Sequence, residues 1–169
     1  MKVSTKTITL CAVLSALALA LSYLESFFPL GLLIPLPGVK LGLANVVTLY
    51  ALYTLGAPYA LCILLVRCLL GAAFAGNASA LIYSLLGGLS ALLVMVLLRR
   101  IPRLSVYGVS LGGAAAHNCG QIAAALLTLG NTAPLVSLPF LLLTALFSGA
   151  LTGFLCALLF RAMKAAKER

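Results

Sequence analysis

The sequence predicts an all-α integral membrane protein: six transmembrane helices in a single bundle, with the N- and C-termini cytoplasmic. Three observations carry this. Hydrophobic residues make up 64% of the chain and charged residues 8%, with a mean hydropathy of +1.23, whereas a soluble domain is about 45–50% apolar and about 25% charged. The apolar residues fall into runs of span length, separated by glycine, proline or arginine. The basic residues are sorted to one side of those runs. At about 20 residues per spanning helix, 169 residues accommodate about six or seven spans, so residues 1–169 form one membrane domain.

Segment one runs from about Lys6 to Tyr23. Its basic start and small-residue end resemble a cleaved leader, but the charge count below favours retention. The stretch Leu24–Gly38 contains Glu25, Phe27, Phe28 and the helix-breaking prolines Pro29, Pro35 and Pro37. It reads as a partly apolar loop able to fold back over the bundle. Segment two, about Val39–Leu55, stops at Gly56-Ala57-Pro58. Segment three, about Tyr59–Ala75, stops at Gly76-Asn77. Segment four, about Ser79–Leu98, is followed by Arg99-Arg100-Ile101-Pro102-Arg103. Segment five, about Val106–Leu129, closes at Gly130-Asn131. Segment six, about Pro134–Phe160, is long enough to tilt or to break at Pro139, and leads into a basic tail, Arg161–Arg169.

Six spans return both ends to one side. With that side inside, it holds Lys2, Lys6, Arg99, Arg100, Arg103, Arg161, Lys164, Lys167 and Arg169, nine of the 11 basic residues. The three connections on the other side carry no Lys or Arg, so the positive-inside rule is satisfied. Cleavage of segment one would force basic clusters outside. The net charge of +9 therefore reports topology rather than nucleic-acid binding. The expected location is a bacterial plasma membrane.

Much chemistry is excluded by composition. The two acidic residues are Glu25 and Glu168, and aspartate is absent. This removes the aspartate clusters that hold magnesium and diphosphate, paired-carboxylate catalysis and a carboxylate relay. No G-x-x-x-x-G-K-[ST] loop is present for ATP. One histidine and five dispersed cysteines (Cys11, Cys62, Cys68, Cys119 and Cys156) offer no metal, disulfide or redox-cofactor set; the cysteines read as apolar packing. The chain is not expected to be an enzyme or to carry a cofactor.

The polar residues that remain are few. Arg67 lies about 13 Å along segment three at 1.5 Å per residue, near mid-membrane, where an arginine costs about 2.5–3.5 kcal/mol and faces an interior or a cavity. Segment five aligns Gly113, His117 and Gln121 on one helical stripe, with Asn118 beside it. Segment two contributes Lys40 in its first turn, Asn45 below it, and Thr48. Lys40 is the only lysine away from the chain ends. Together these residues could line a pocket entered from outside. Lys40 and Arg67 have one nearby acid, Glu25, so a ligand carboxylate or phosphate would supply the missing charge. The competing reading has Arg67 donating to helix-end carbonyls and Lys40 snorkelling to the interface, with the other polar groups bonding between helices.

In segment one, Ala12, Ala16 and Ala20 recur every fourth residue, beside Ser15 and Ala18. Small residues at this spacing permit close helix approach, either to a membrane partner or within the bundle. Gly71, Gly87, Gly88, Gly112, Gly113, Gly149 and Gly153 read as packing positions.

The stretch Pro37-Gly38-Val39-Lys40-Leu41-Gly42-Leu43-Ala44-Asn45, with Arg67-Cys68-Leu69-Leu70-Gly71 and Ala116-His117-Asn118, resembles the Gx transporter family, also labelled heptaprenyl diphosphate synthase component I. That family is similar to the substrate-binding S components of energy-coupling factor transporters. The resemblance implies six helices, an outward-facing site lidded by the Leu24–Gly38 loop, and an alanine motif, here Ala12 and Ala16, that docks a T component alongside two ATPases. It leads to the expectation of a substrate-binding subunit for a small, anionic or amphipathic compound, bound by Lys40, Asn45, Arg67, His117, Asn118 and Gln121. The alternatives are a non-catalytic membrane subunit associated with polyprenyl diphosphate or quinone synthesis, or a component of a membrane electron-transfer assembly. Vitamins, quinone precursors and prenyl phosphates all suit such a pocket.

Overall fold

The computed structural model describes residues 4–25, 27 and 40–167, and among these every regular element is helical. Six α-helices follow in order: α1 Thr5–Glu25, α2 Asn45–Thr54, α3 Ala57–Ala75, α4 Ala78–Leu98, α5 Val106–Leu129 and α6 Leu138–Lys167. A 3₁₀ turn, Ala133–Ser137, leads into α6. Most of the expected loop 24–38, and Glu168, lie outside the described residues.

The helix boundaries follow local chemistry. Pro58 sits in the first turn of α3, where its missing N–H is not needed, and Gly76 ends that helix in the left-handed conformation at φ 59°. Asn77 caps α4 by accepting the Ser79 N–H at 2.9 Å. Pro139 lies in the first turn of α6 and introduces no break.

The bundle is arranged around α2. This ten-residue helix touches each of the other five, and its residues Asn45 to Leu52 are all buried. Its length corrects the expected second span: ten residues rise about 15 Å, half the hydrocarbon thickness of about 30 Å. Residues 40–44 are not helical; Gly42 turns the chain at φ 83°.

Four helical stretches are long and apolar enough to cross a membrane: Thr5–Glu25, Ala57–Ala75, Ala78–Leu98 and Ala133–Ala165. Helix α5 has 24 residues and the necessary length, but its buried Ser110, His117, Asn118 and Gln121 and its glycines lower its hydropathy. The outside of the bundle presents apolar side chains: Phe74 is 77% exposed and Phe147 74%, with Leu69, Leu93 and Leu127 also exposed. Such a surface belongs in lipid, and this makes the chain a membrane-embedded protein. In lipid the helices are held together by close packing and interhelical hydrogen bonds rather than by exclusion of water. The seam between α5 and α6 shows both: the Ser110 hydroxyl reaches the Gly149 carbonyl at 2.7 Å and the Thr152 hydroxyl at 2.6 Å.

Candidate functional site

Each end of α2 is met by a charge of the complementary sign. At its start, the N–H groups of Gly42 and Leu43 donate to Glu25 Oε1, the second at 3.2 Å. Glu25 is the last residue of α1 and is buried. Its carboxylate stabilises the positive end of the helix dipole, where N–H groups otherwise lack partners. At the other end, Arg99 Nη1 donates to the Leu52 carbonyl, and its guanidinium lies 4.9 Å from the centroid of the Tyr53 ring. Tyr50 and Tyr53 in turn pack on Phe160.

A cleft opens beside the Glu25 end. It is lined by Glu25, Lys40, Gly42, Arg67, Ser84, His117 and Gln121. Counted to its open mouth it encloses about 240 Å³, while its floor admits about one water-sized group. Four of the six residues expected to bind a ligand therefore meet here: Lys40, Arg67, His117 and Gln121. Asn45 is buried at the first position of α2 but does not line the cleft. Asn118 turns the other way: its amide donates to the Leu141 carbonyl and to the Thr144 hydroxyl of α6.

Arg67 is 6% exposed, and α3 carries it into the bundle between α1 and α4. Nη1 donates to Ser22 of α1 at 3.1 Å, while Nη2 lies close to Gly88 of α4. Nη2 and Nε have no hydrogen-bond partner. A buried guanidinium with donors left over is costly, and the Glu25 carboxylate in the same cleft gives its Oε1 to two backbone N–H groups.

Gln121 makes a reciprocal pair of bonds with the Lys40 backbone. Its Oε1 accepts the Lys40 N–H at 3.3 Å and its Nε2 donates to the Lys40 carbonyl at 2.9 Å. The same Nε2 lies 2.8 Å from His117 Nε2. The His117 ring sits between two glycines: a Cβ on Gly42 would come within 3.1 Å of it, and one on Gly87 within 2.8 Å. A Cβ on Gly87 would require the ring to shift, and one on Gly42 would meet Asn45 Nδ2 at 2.8 Å as well as the ring, which gives both glycines a steric role.

Sequence reasoning treated Glu25 only as a possible counter-charge, and did not single out Ser22, Ser84, Gly42 or Gly87 for the site. A readable signal existed on α1: Ser15, Ala18, Ser22 and Glu25 follow helical spacing and all are buried. On the outer face of the same helix, Ala12, Ala16 and Ala20 are exposed, beside Val13 and Leu17. All five cysteines are free, and among the described residues no group of three or more His, Cys, Asp or Glu gathers to hold a metal.

A lipid-facing helical bundle with a small cationic cleft defines a membrane component with a polar interior site. A model of the family described as heptaprenyl diphosphate synthase component I matches residues 14–159, and the chain belongs to that family. The family name marks one component of a multi-part assembly, so a partner subunit is implied. No curated protein and no solved structure matches the chain.

Proposed function

We propose that this chain is the substrate-binding membrane subunit of an ATP-powered importer of the energy-coupling factor type. It takes up a small anionic or amphipathic compound from the outer side of a bacterial plasma membrane, with six membrane-embedded segments and both termini cytoplasmic. The observation behind this reading is Arg67, a buried cation with two donor nitrogens unused in a cleft it shares with Lys40. Charge inside a membrane protein marks a ligand or ion site by default, and a planar guanidinium suits a carboxylate or phosphate. Arg67 and Lys40 hold the anionic end of the compound, His117 borders it, and the apolar remainder leaves through the open mouth. The exposed row Ala12, Ala16 and Ala20 docks a T component that carries two ATPases, since this sequence has no phosphate-binding loop of its own.

The family's description favours a second reading, a non-catalytic subunit that stations a soluble prenyltransferase at the membrane. The prenyltransferase would then supply the magnesium-binding aspartates this chain lacks. Gentle purification of the tagged protein from its native membranes separates the two. Stoichiometric recovery of a T component and two ATPases supports import. Recovery of a soluble prenyltransferase in their place overturns it and establishes the second reading.

A further inference from the structure

We infer that Gln121 is a positioning residue that occupies the acceptor nitrogen of His117 and so tilts the cleft toward donating hydrogen bonds, favouring oxyanionic head groups, carboxylate or phosphate, over amines. The inference rests on the reading of the cleft as a ligand site, and it begins from the orientation of one amide. An amide oxygen and nitrogen are alike in shape, and their placement is settled by what they face. The Lys40 backbone settles it here, because its N–H requires an acceptor and its carbonyl a donor. Oε1 must therefore face the N–H and Nε2 the carbonyl, as observed at 3.3 and 2.9 Å.

An NH₂ group has two hydrogens. One goes to the Lys40 carbonyl and the other to His117 Nε2, 2.8 Å away. His117 Nε2 can then only accept, so the imidazole is neutral with its proton on Nδ1. That nitrogen is buried against the Gly87 backbone. The buried donors of the lining left without a partner are now Nε and Nη2 of Arg67, joined by the Lys40 ammonium. Of the Glu25 carboxylate, Oε1 is occupied by the Gly42 and Leu43 N–H groups, which leaves Oε2 and the Ser84 hydroxyl as the acceptors of the lining, set against the two cations Arg67 and Lys40. A ligand oxygen with lone pairs satisfies the open donors of Arg67, whereas an ammonium meets two cations against a single carboxylate, and mispaired buried polar groups discriminate strongly.

The sequence holds a single histidine, so ¹⁵N-histidine labelling of the whole protein in lipid nanodiscs reads this residue alone. The wild type is expected to show a neutral ring protonated at Nδ1. In Gln121→Glu the carboxylate cannot donate, so the proton moves to Nε2 or the ring takes a second one. A merely structural role for Gln121 would not move the proton in this direction. A wild-type ring protonated at Nε2, or at both nitrogens, overturns the inference without any variant having to fold. Titration with octyl phosphate, octanoate and octylammonium then tests selection. At least one of the two oxyanions should bind tenfold or more tighter than the ammonium, a preference that Gln121→Glu reduces about tenfold. The relative strength of phosphate and carboxylate distinguishes the two ligand sources. A ring protonated at Nδ1 with equal binding of anion and cation overturns the selectivity. A ring protonated at Nδ1 with no binding of any probe overturns the claim that the amide selects a head group and leaves the import reading to the partner purification.

Discussion

Arg67 and Arg99 are the two arginines whose contacts define the interior, and they are used in opposite ways. Arg99 stands at the end of α4 and is consumed by the fold: it closes the last turn of α2 through the Leu52 carbonyl and lies over Tyr53. Arg67 is far more deeply buried, yet it makes one side-chain bond, to Ser22, and leaves Nε and Nη2 without partners. A cation kept for stability is given acceptors. On the proposed reading, one kept in an apolar interior with its donors open is held for a ligand. The same contrast holds between the ends of α2, where Arg99 closes one end while Glu25 anchors the other beside an open cleft.

The comparison breaks most readily at Arg67. Arg67→Met is expected to weaken binding of octyl phosphate or octanoate about a hundredfold or more, since each charged hydrogen bond lost is worth about 1.5–3 kcal/mol. Thermal stability in nanodiscs should hold or rise, because an incompletely paired buried charge has been removed. Loss of folding with unchanged affinity would place Arg67 in the same class as Arg99.

Gly42→Ala should cost about 2–4 kcal/mol of stability, combining the strain of φ 83° with a Cβ 2.8 Å from Asn45 Nδ2 and 3.1 Å from the His117 ring. Denaturation curves alongside Gly76→Ala, whose φ is 59° with no atom within 4 Å of the added methyl, separate strain from contact. Equal losses in the two variants would show that His117 is not wedged against Gly42. Arg99→Met should lower stability by about 1–3 kcal/mol through the lost carbonyl bond and ring contact, and leave anion affinity within about twofold.

How much of this could be read from the sequence depends on how local the cause is. Glycine and proline punctuation located the ends of α3, α4 and α5 closely, because caps and breakers act within a turn. The inward face of Arg67 followed from the cost of a charge inside an apolar segment, and the shared face of His117 and Gln121 from helical arithmetic. Asn118 could not be assigned from the same arithmetic: it is adjacent to His117, and only the packing of α6 against α5 shows that its amide serves Leu141 and Thr144. The length of α2 was hidden for a related reason. An apolar run looks like a span whether or not its first residues are helical, and the unwinding at 40–44 is maintained by Glu25 and Gln121 from distant parts of the chain. Hydropathy does not register bonds of this kind.

The smallest expected effect on the fold lies on the outer face of α1, and there the helix provides its own control. Ala12 and Ala16 are exposed, while Ala18 is fully buried. The double variant Ala12→Leu, Ala16→Leu adds apolar atoms to a lipid-facing surface, so stability should stay within about 0.5 kcal/mol and anion affinity should not change. Ala18→Leu forces the same atoms into a packed seam and should cost about 1–3 kcal/mol. If the row docks a membrane partner, the double variant loses that partner in co-purification while remaining as stable as the parent. If stability falls as far as in Ala18→Leu, the row packs within this chain's own assembly. Retention of the partner at full stoichiometry would move the docking surface off this face of α1.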